Sequence, residues 1–217
     1  MENSEQQFIA AIQRGEIEAV SKYLEEDNSL CNVMTDQGIS VLLFAAYLRN
    51  QEIVELLLKY RTDLTIFEAA ATGQQDIFQY QIGIQSNKLN EWSSDGFTLI
   101  GLASFFGKKD IVELLLDRKA DVNIPSNNDF RVTPLHSAAA VSQYEIAQLL
   151  LQNGAKINAV QMNGVTPLHS AANNGNVEMV KLFLENGADK NLRMKDGKLA
   201  VDLARIKGFN EIVTLLT

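Results

Sequence analysis

"GVTPLHSAANNGNVEMVKLFLENGADKN" occupies residues 164–191, and its parts recur along the chain. Its opening, "TPLHSAA", stands at residues 166–172 and again, letter for letter, at 133–139, a spacing of 33 residues. A fixed period between about 20 and 50 residues is the mark of stacked repeats. Aligned on this unit, the turn positions fall at Gly15, Arg49, Gly73, Gly107, Ser142, Gly175 and Gly208, with steps of 34, 24, 34, 35, 33 and 33. Leucine-rich segments follow at matching places: "EIVELLLKY", "DIVELLLDR", "EIAQLLLQN", "EMVKLFLEN" and "EIVTLLT". Seven units fill the chain.

Each piece of the unit has a physical task. Thr133 and Thr166 suit a helix N-cap, where the hydroxyl accepts a bond from an orphan backbone N–H. Pro134 and Pro167 follow at the first helical position, where a missing N–H costs nothing. The pairs Ala45/Ala46, Ala138/Ala139 and Ala171/Ala172 let a short helix lie close to its neighbours. A glycine suits the left-handed residue that ends it. The second helix then buries Ile, Val and Leu at i, i+3, i+4 spacing. Glycine stops it again in "NGAKIN" and "NGADKN", and a polar tip turns the chain back.

At residue level this unit resembles the ankyrin repeat, and the resemblance extends over essentially the whole chain. It implies an all-α solenoid of stacked helix-turn-helix units with hairpin loops, in which each repeat touches only its neighbours. The units divide as an N-terminal capping repeat (1–35), inner repeats at 36–64, 65–94, 95–127, 128–161 and 162–194, and a closing repeat at 195–217. The repeat at 65–94 is about ten residues short, because Leu64 runs almost directly into its helix. Between the fourth and fifth units "PSNNDFRV" replaces a compact tip, and Arg131 stands where the family has glycine. That tip is expected to lose the standard turn geometry. Arg49 and Ser142 replace turn glycines as well.

Composition narrows the partner. The chain of 217 residues carries 27 Asp+Glu against 19 Lys+Arg, a net charge of −8, with the excess acid in residues 1–94. Such a balance disfavours a partner held by phosphate neutralisation, so nucleic acid is not expected. Cys31 is the single cysteine, which rules out an internal disulfide. The start "MENSEQQF" lacks the basic and apolar regions of a secretory signal. No apolar run approaches the roughly 20 residues that cross a bilayer. An intact, soluble protein of the cytoplasm is the expectation, and the tail-free array is similar to small bacterial ankyrin proteins.

The histidines are His136 and His169, both three residues after the capping threonine. Catalysis would need a nucleophile or substrate proton in reach and an orienting carboxylate. The family resemblance implies a structural role instead, with the ring bonded to the capping Thr and the neighbouring loop. One Cys and two His in separate repeats have no metal-ligand spacing, and no phosphate-cradling glycine motif occurs. No enzymatic activity, cofactor or metal is expected.

The positions left free by the repeat carry the functional reading. In this family the loop tips and the exposed end of the first helix line a concave face that binds a partner protein. On that face the candidates are Ile39, Tyr47, Leu48, Trp92, Phe97, Phe105, Phe106, Phe130, Val141, Asn173 and Asn174. The trend runs from apolar and aromatic to polar, and then to a basic cluster of Arg193, Lys195, Lys198, Arg205 and Lys207, which is either a contact for an acidic partner surface or the ordinary solvated charge of a capping repeat. The missing hairpin is expected to leave a notch between the second and fourth units, flanked by Tyr47, Leu48, Trp92, Phe97, Phe105 and Phe106. Either that notch seats a peptide, or the aromatics fold inward and plug it. Another protein is the expected partner, without a small-molecule substrate or a membrane, and a monomer is expected before a homodimer. Self-association through the apolar patch, or service as an accessory or regulatory subunit of an enzyme, are the alternatives.

Overall fold

A computed structural model describes residues 4–217, which form fourteen α-helices and three short 3-10 segments, with no strand among the described residues. The helices come in seven pairs. These are α1 (Ser4–Arg14) with α2 (Ile17–Glu26), α3 (Val41–Tyr47) with α4 (Gln51–Tyr60), and α5 (Ile66–Thr72) with α6 (Gln75–Ile84). Then come α7 (Leu99–Phe105) with α8 (Lys109–Asp117), and α9 (Pro134–Ala140) with α10 (Tyr144–Gln152). The last two are α11 (Pro167–Asn173) with α12 (Val177–Glu185), and α13 (Ala200–Lys207) with α14 (Asn210–Leu216). The expected helical solenoid is what the chain forms.

From the second pair on the first helix is short, seven or eight residues, and Ala45, Ala69, Ala70, Ala103, Ala138, Ala139, Ala171 and Ala172 on these helices have no exposed surface. That lets successive first helices approach closely. The second helices bury one apolar stripe each: Ile53, Val54 and Leu57 on α4, Ile111, Val112, Leu115 and Leu116 on α8, Met179, Val180, Leu182 and Phe183 on α12. A short helix of this kind is marginal alone, so its stability comes from stacking.

Capping differs between the two "TPLHSAA" copies. Thr166 accepts from the His169 backbone N–H at 3.4 Å, as expected of an N-cap. Thr133 makes no such bond, and its hydroxyl instead lies 2.8 Å from the His136 Nδ1. The expected backbone cap is therefore corrected for this copy: the imidazole takes the hydroxyl.

Between pairs, loop asparagines lock neighbours together. Asn123 accepts from the Lys156 N–H at 2.8 Å and donates to the Gly154 carbonyl at 3.0 Å. Asn158 repeats the arrangement one unit on, with the Asp189 N–H at 2.9 Å and the Gly187 carbonyl at 3.2 Å. Loop tips also meet backbone to backbone. A Cβ on Gly96 would stand 2.9 Å from the Asn127 carbonyl oxygen, which is why this tip needs glycine. Arg131 holds a φ of 56° and keeps its turn, contrary to expectation, while the Phe130 carbonyl beside it accepts from the Met162 N–H at 2.9 Å. Neighbouring tips thus hold the turn despite the side chain.

Ser142 likewise sits at φ 60° in the glycine position that ends α9. Left-handed backbone costs a Cβ-bearing residue about 1–2 kcal/mol, and glycine's extra freedom when unfolded offsets part of that gain. Ser142→Gly is expected to stabilise the chain by up to about 1 kcal/mol in urea denaturation. A loss of stability would show that the seryl side chain contributes a contact that outweighs the strain.

The core has a seam. One buried cluster runs from Phe8 to Leu64 and another from Ile66 to Leu216, and half-buried Ile77 touches both. At the seam only residues 61–65 separate α4 from α5, so the third pair has no hairpin in front of it. A buried ion pair stands there. Arg61 Nη1 lies 2.8 Å from Glu68 Oε1, with side chains 9% and 2% exposed. Glu68 Oε2 also accepts from the Thr65 N–H at 2.8 Å and from its hydroxyl at 2.9 Å, closing a capping box. Arg61 reaches back to the Cys31 carbonyl at 3.4 Å. Glu68 occupies the register that holds His136 and His169 in the full-length units.

Candidate binding face

The missing hairpin brings the second and fourth units into direct contact. Ser94 Oγ donates to the Gly38 carbonyl at 3.1 Å, and the Tyr47 hydroxyl donates to Asp95 at 2.6 Å. Two helix layers would ordinarily separate such tips by about 16–20 Å. The open notch expected there is therefore closed on the hairpin side. Tyr47 reaches across the small residues Ala71 and Thr72 of the third unit to stack on the fourth. Its ring centre lies 5.9 Å from Phe105 and 5.1 Å from Phe106, which are 5.2 Å apart at 89°. All three rings are half-buried. Edge and tilted contacts of this kind add stability beyond buried area. Burial, aided by the Asp95 carboxylate, raises the Tyr47 pKa, so the phenol stays protonated. On the far, turn side a cavity of about 210 Å³ remains, bordered by Arg49, Thr72, Phe106, Lys108 and Gln143.

The other candidates divide by exposure. Leu48, Trp92 and Phe130 are 42%, 45% and 54% exposed, and Met34, Val160 and Met162 on other inter-unit loops are exposed too. Trp92 is oriented by its indole N–H, which donates to the Pro125 carbonyl at 3.0 Å. Ile39, Phe97 and Val141 are half-buried along the same face. Asn173 and Asn174 are exposed, but the Asn174 amide donates to the Ala140 carbonyl at 2.9 Å and so fastens two units together. Much of the basic cluster is also occupied: Lys198 pairs with Asp196 at 2.6 Å, Arg205 with Asp202 at 2.8 Å, and Arg193 donates to the Gly197 carbonyl at 2.7 Å.

Both histidines serve the scaffold. His136 Nδ1 meets the Thr133 hydroxyl and Nε2 meets the Val165 carbonyl of the next unit at 3.1 Å. Burial holds its pKa down at about 4, so the ring is neutral at physiological pH. His169 Nδ1 lies 2.8 Å from the Thr166 hydroxyl and accepts from the Thr166 N–H at 3.2 Å, and burial lowers its pKa also. Among the described residues no three His, Cys, Asp or Glu side chains converge as a metal site. The Cys31 thiol is buried and lies 3.7 Å from the Tyr60 carbonyl.

Sequence reading passed over Arg61, Glu68 and the loop asparagines. A carboxylate in the histidine register, with an arginine in the shortened connection before it, was the available signal for the first two. The 33-residue spacing of Asn90 and Asn123 was the signal for the last.

With this geometry in view the comparisons are direct. A family model for three copies of ankyrin repeats matches residues 66–161, and one for many copies matches 150–204. The chain belongs to the ankyrin-repeat family. It is 28% identical over 171 residues, 70% of its length, to human transient receptor potential cation channel subfamily A member 1. It is 29% identical over 145 residues, 63% of its length, to human neurogenic locus notch homolog protein 1. A shorter match, 42% over 62 residues and 29% of the chain, is to human ankyrin repeat and KH domain-containing protein 1. These alignments take in 15%, 6% and 2% of the respective relatives. All three are human proteins, and none supports the expected bacterial character. Ankyrin repeats generally mediate protein–protein interaction. No described helix is long and apolar enough to cross a membrane.

Proposed function

We propose that this ankyrin array is a non-enzymatic scaffold that holds a partner protein against its concave face, in a cytoplasmic setting. The observation that carries this is the run of exposed large apolar side chains on successive loops, from Met34 through Trp92 and Phe130 to Val160 and Met162. Large apolar groups left exposed on one loop after another suit an interaction site, and tryptophan is a favoured anchor at the centre of such sites. A scaffold held by asparagine bridges and stacked helices presents these groups already in place, so little ordering entropy is lost on binding. A reducing compartment fits the lone buried thiol of Cys31.

The face has two kinds of residue in this reading. Tyr47, Phe105 and Phe106 shape the scaffold, whereas Leu48, Trp92 and Phe130 make the contacts. A Leu48/Trp92/Phe130 triple alanine variant is expected to keep its melting temperature within a few degrees and to bind the purified partner at least roughly tenfold more weakly. Tyr47→Ala/Phe105→Ala is expected to melt well below the parent. Equal partner affinity in the triple variant would end the reading. Loss of the apolar stripe together with conversion of a dimer to a monomer in light scattering would assign the stripe to self-association instead.

A further inference from the structure

Where the second, fourth and fifth units meet on this face there is a cavity of about 140 Å³, walled mainly by Tyr47, Phe97, Leu102, Phe105, Val132 and Ala140, with Ser137, His136 and Gln161 also on its border. One register position contributes to it. Ser137 stands where the second and fourth units carry Phe44 and Leu102, so the fifth unit lacks the bulk that would fill the space. The hydroxyl that replaces it is unusual. Ser137 is 1% exposed, and its Oγ has no hydrogen-bond partner. By contrast, Ser104 on α7 returns its hydroxyl to the Ile100 carbonyl at 2.6 Å. A serine hydroxyl offers one donor and two acceptor sites, and here they border an apolar hollow.

We propose that this cavity seats a tyrosine side chain of the partner, presented by a segment that also carries basic residues; this deepens the concave-face reading and rests on it. Size, wall chemistry and charge agree. An apolar protein cavity of about 150 Å³ accepts a benzene ring. The rings of Tyr47, Phe97 and Phe105 offer faces and edges to an incoming aromatic group. Both His136 ring nitrogens are already engaged, so the partnerless Ser137 hydroxyl supplies a polar contact that a phenol satisfies and a phenyl ring does not. The entrance lies beside exposed Ala140. The three neighbouring tips, spanning 33–40, 91–98 and 124–133, carry Asp36, Asp95 and Asp129 against a single base, Arg131, while Glu91 is paired with Lys88 at 2.6 Å. They touch one another through the Ser94–Gly38 bond and through Asn128 Nδ2, which donates to the Asp95 carbonyl at 3.0 Å.

The test uses the full chain and defined probes. In nuclear magnetic resonance titrations 4-methylphenol is expected to shift the amides of Ser137 and Ala140 saturably, with toluene roughly tenfold weaker. Ser137→Ala is expected to bring the two probes to equal affinity. Ala140→Leu, a surface change that leaves the core alone, is expected to abolish both responses with an unchanged melting temperature. Absence of saturable shifts in the parent, or shifts that persist in Ala140→Leu, would overturn the proposal. Heptapeptides with a central tyrosine between two arginines should bind more tightly than the phenylalanine or alanine versions, and glutamates in place of the arginines should weaken them. Equal binding of the arginine and glutamate versions overturns the basic segment. With the purified partner, unchanged affinity of Ala140→Leu alongside loss in the Leu48/Trp92/Phe130 variant sinks the cavity and leaves the face reading standing. Unchanged affinity in both sinks the face reading.

Discussion

Arg61→Met is expected to destabilise the chain by about 3 kcal/mol and to split its unfolding into two steps. The substitution removes the cation from a pair whose side chains are 9% and 2% exposed, leaving the Glu68 carboxylate buried without its counter-charge. Stranding one member of a buried pair costs about 3–5 kcal/mol, whereas replacing both members is often close to neutral. Arg61→Met/Glu68→Gln should therefore recover most of the loss, because glutamine still accepts from the Thr65 N–H and hydroxyl. The second step follows from where the pair stands. Buried clusters end at Leu64 on one side and begin at Ile66 on the other, with the Arg61–Glu68 contact between them. In a stacked array, weakening one interface loosens the coupling between what lies on either side, and here the Tyr47–Phe105/Phe106 cluster and the Ser94–Gly38 bond are what still span the seam. Urea denaturation followed by tryptophan emission and by circular dichroism is the check. Trp92, at residue 92, reports the larger C-terminal block alone. Coincident curves and a loss below about 1 kcal/mol would show that the pair is incidental.

Acidification supplies the second large effect. The His136 imidazole is held at about 4, against an ordinary value of 6.5, chiefly by burial. Above pH 6.5 folded and unfolded chains both carry the neutral ring, and the full stability is present. As pH falls below 6.5 the unfolded chain takes up a proton that the folded chain refuses, so stability drops until the folded value is passed. The loss amounts to about 2 kcal/mol by pH 5 and about 3 kcal/mol by pH 4. His169, shifted in the same direction, adds to it. His136→Gln should be less stable at pH 7, having lost the paired contacts to Thr133 and Val165, but its stability should change less between pH 6.5 and pH 5. That window lies above the range where carboxylates titrate. Parallel pH profiles for parent and variant would show that the ring is not held neutral by the fold.

Much of this was legible in the chain itself, and the reason is local. A period near 33, threonine and proline at helix starts, paired alanines and left-handed turn positions each act within a few residues or between adjacent copies. The architecture therefore follows from the pattern, whereas the scaffold role of the two histidines was what the family resemblance implied. Departures from the pattern were legible as positions and misleading as consequences. Arg131 was expected to spoil its tip and Ser142 stands in place of a turn glycine, yet both keep positive φ, and at Arg131 the bond from the Met162 N–H to the adjoining Phe130 carbonyl holds the tip in place.

The truncated repeat shows the limit most clearly. Counting residues located the gap, and the aromatics around it were all in view. What the count could not supply was distance between units two apart. With ten residues gone, the tips of the second and fourth units touch, Tyr47 crosses small Ala71 and Thr72 to reach Phe105, and the expected notch becomes a stacked cluster. The same contacts leave the hollow at Ser137, a position that reads in the sequence only as one letter of "TPLHSAA". Repeat identity is determined by short-range chemistry that any single unit carries. Which free positions are buried, which are exposed and which border a cavity depends on how unequal units stack, and that was decided by the tertiary structure.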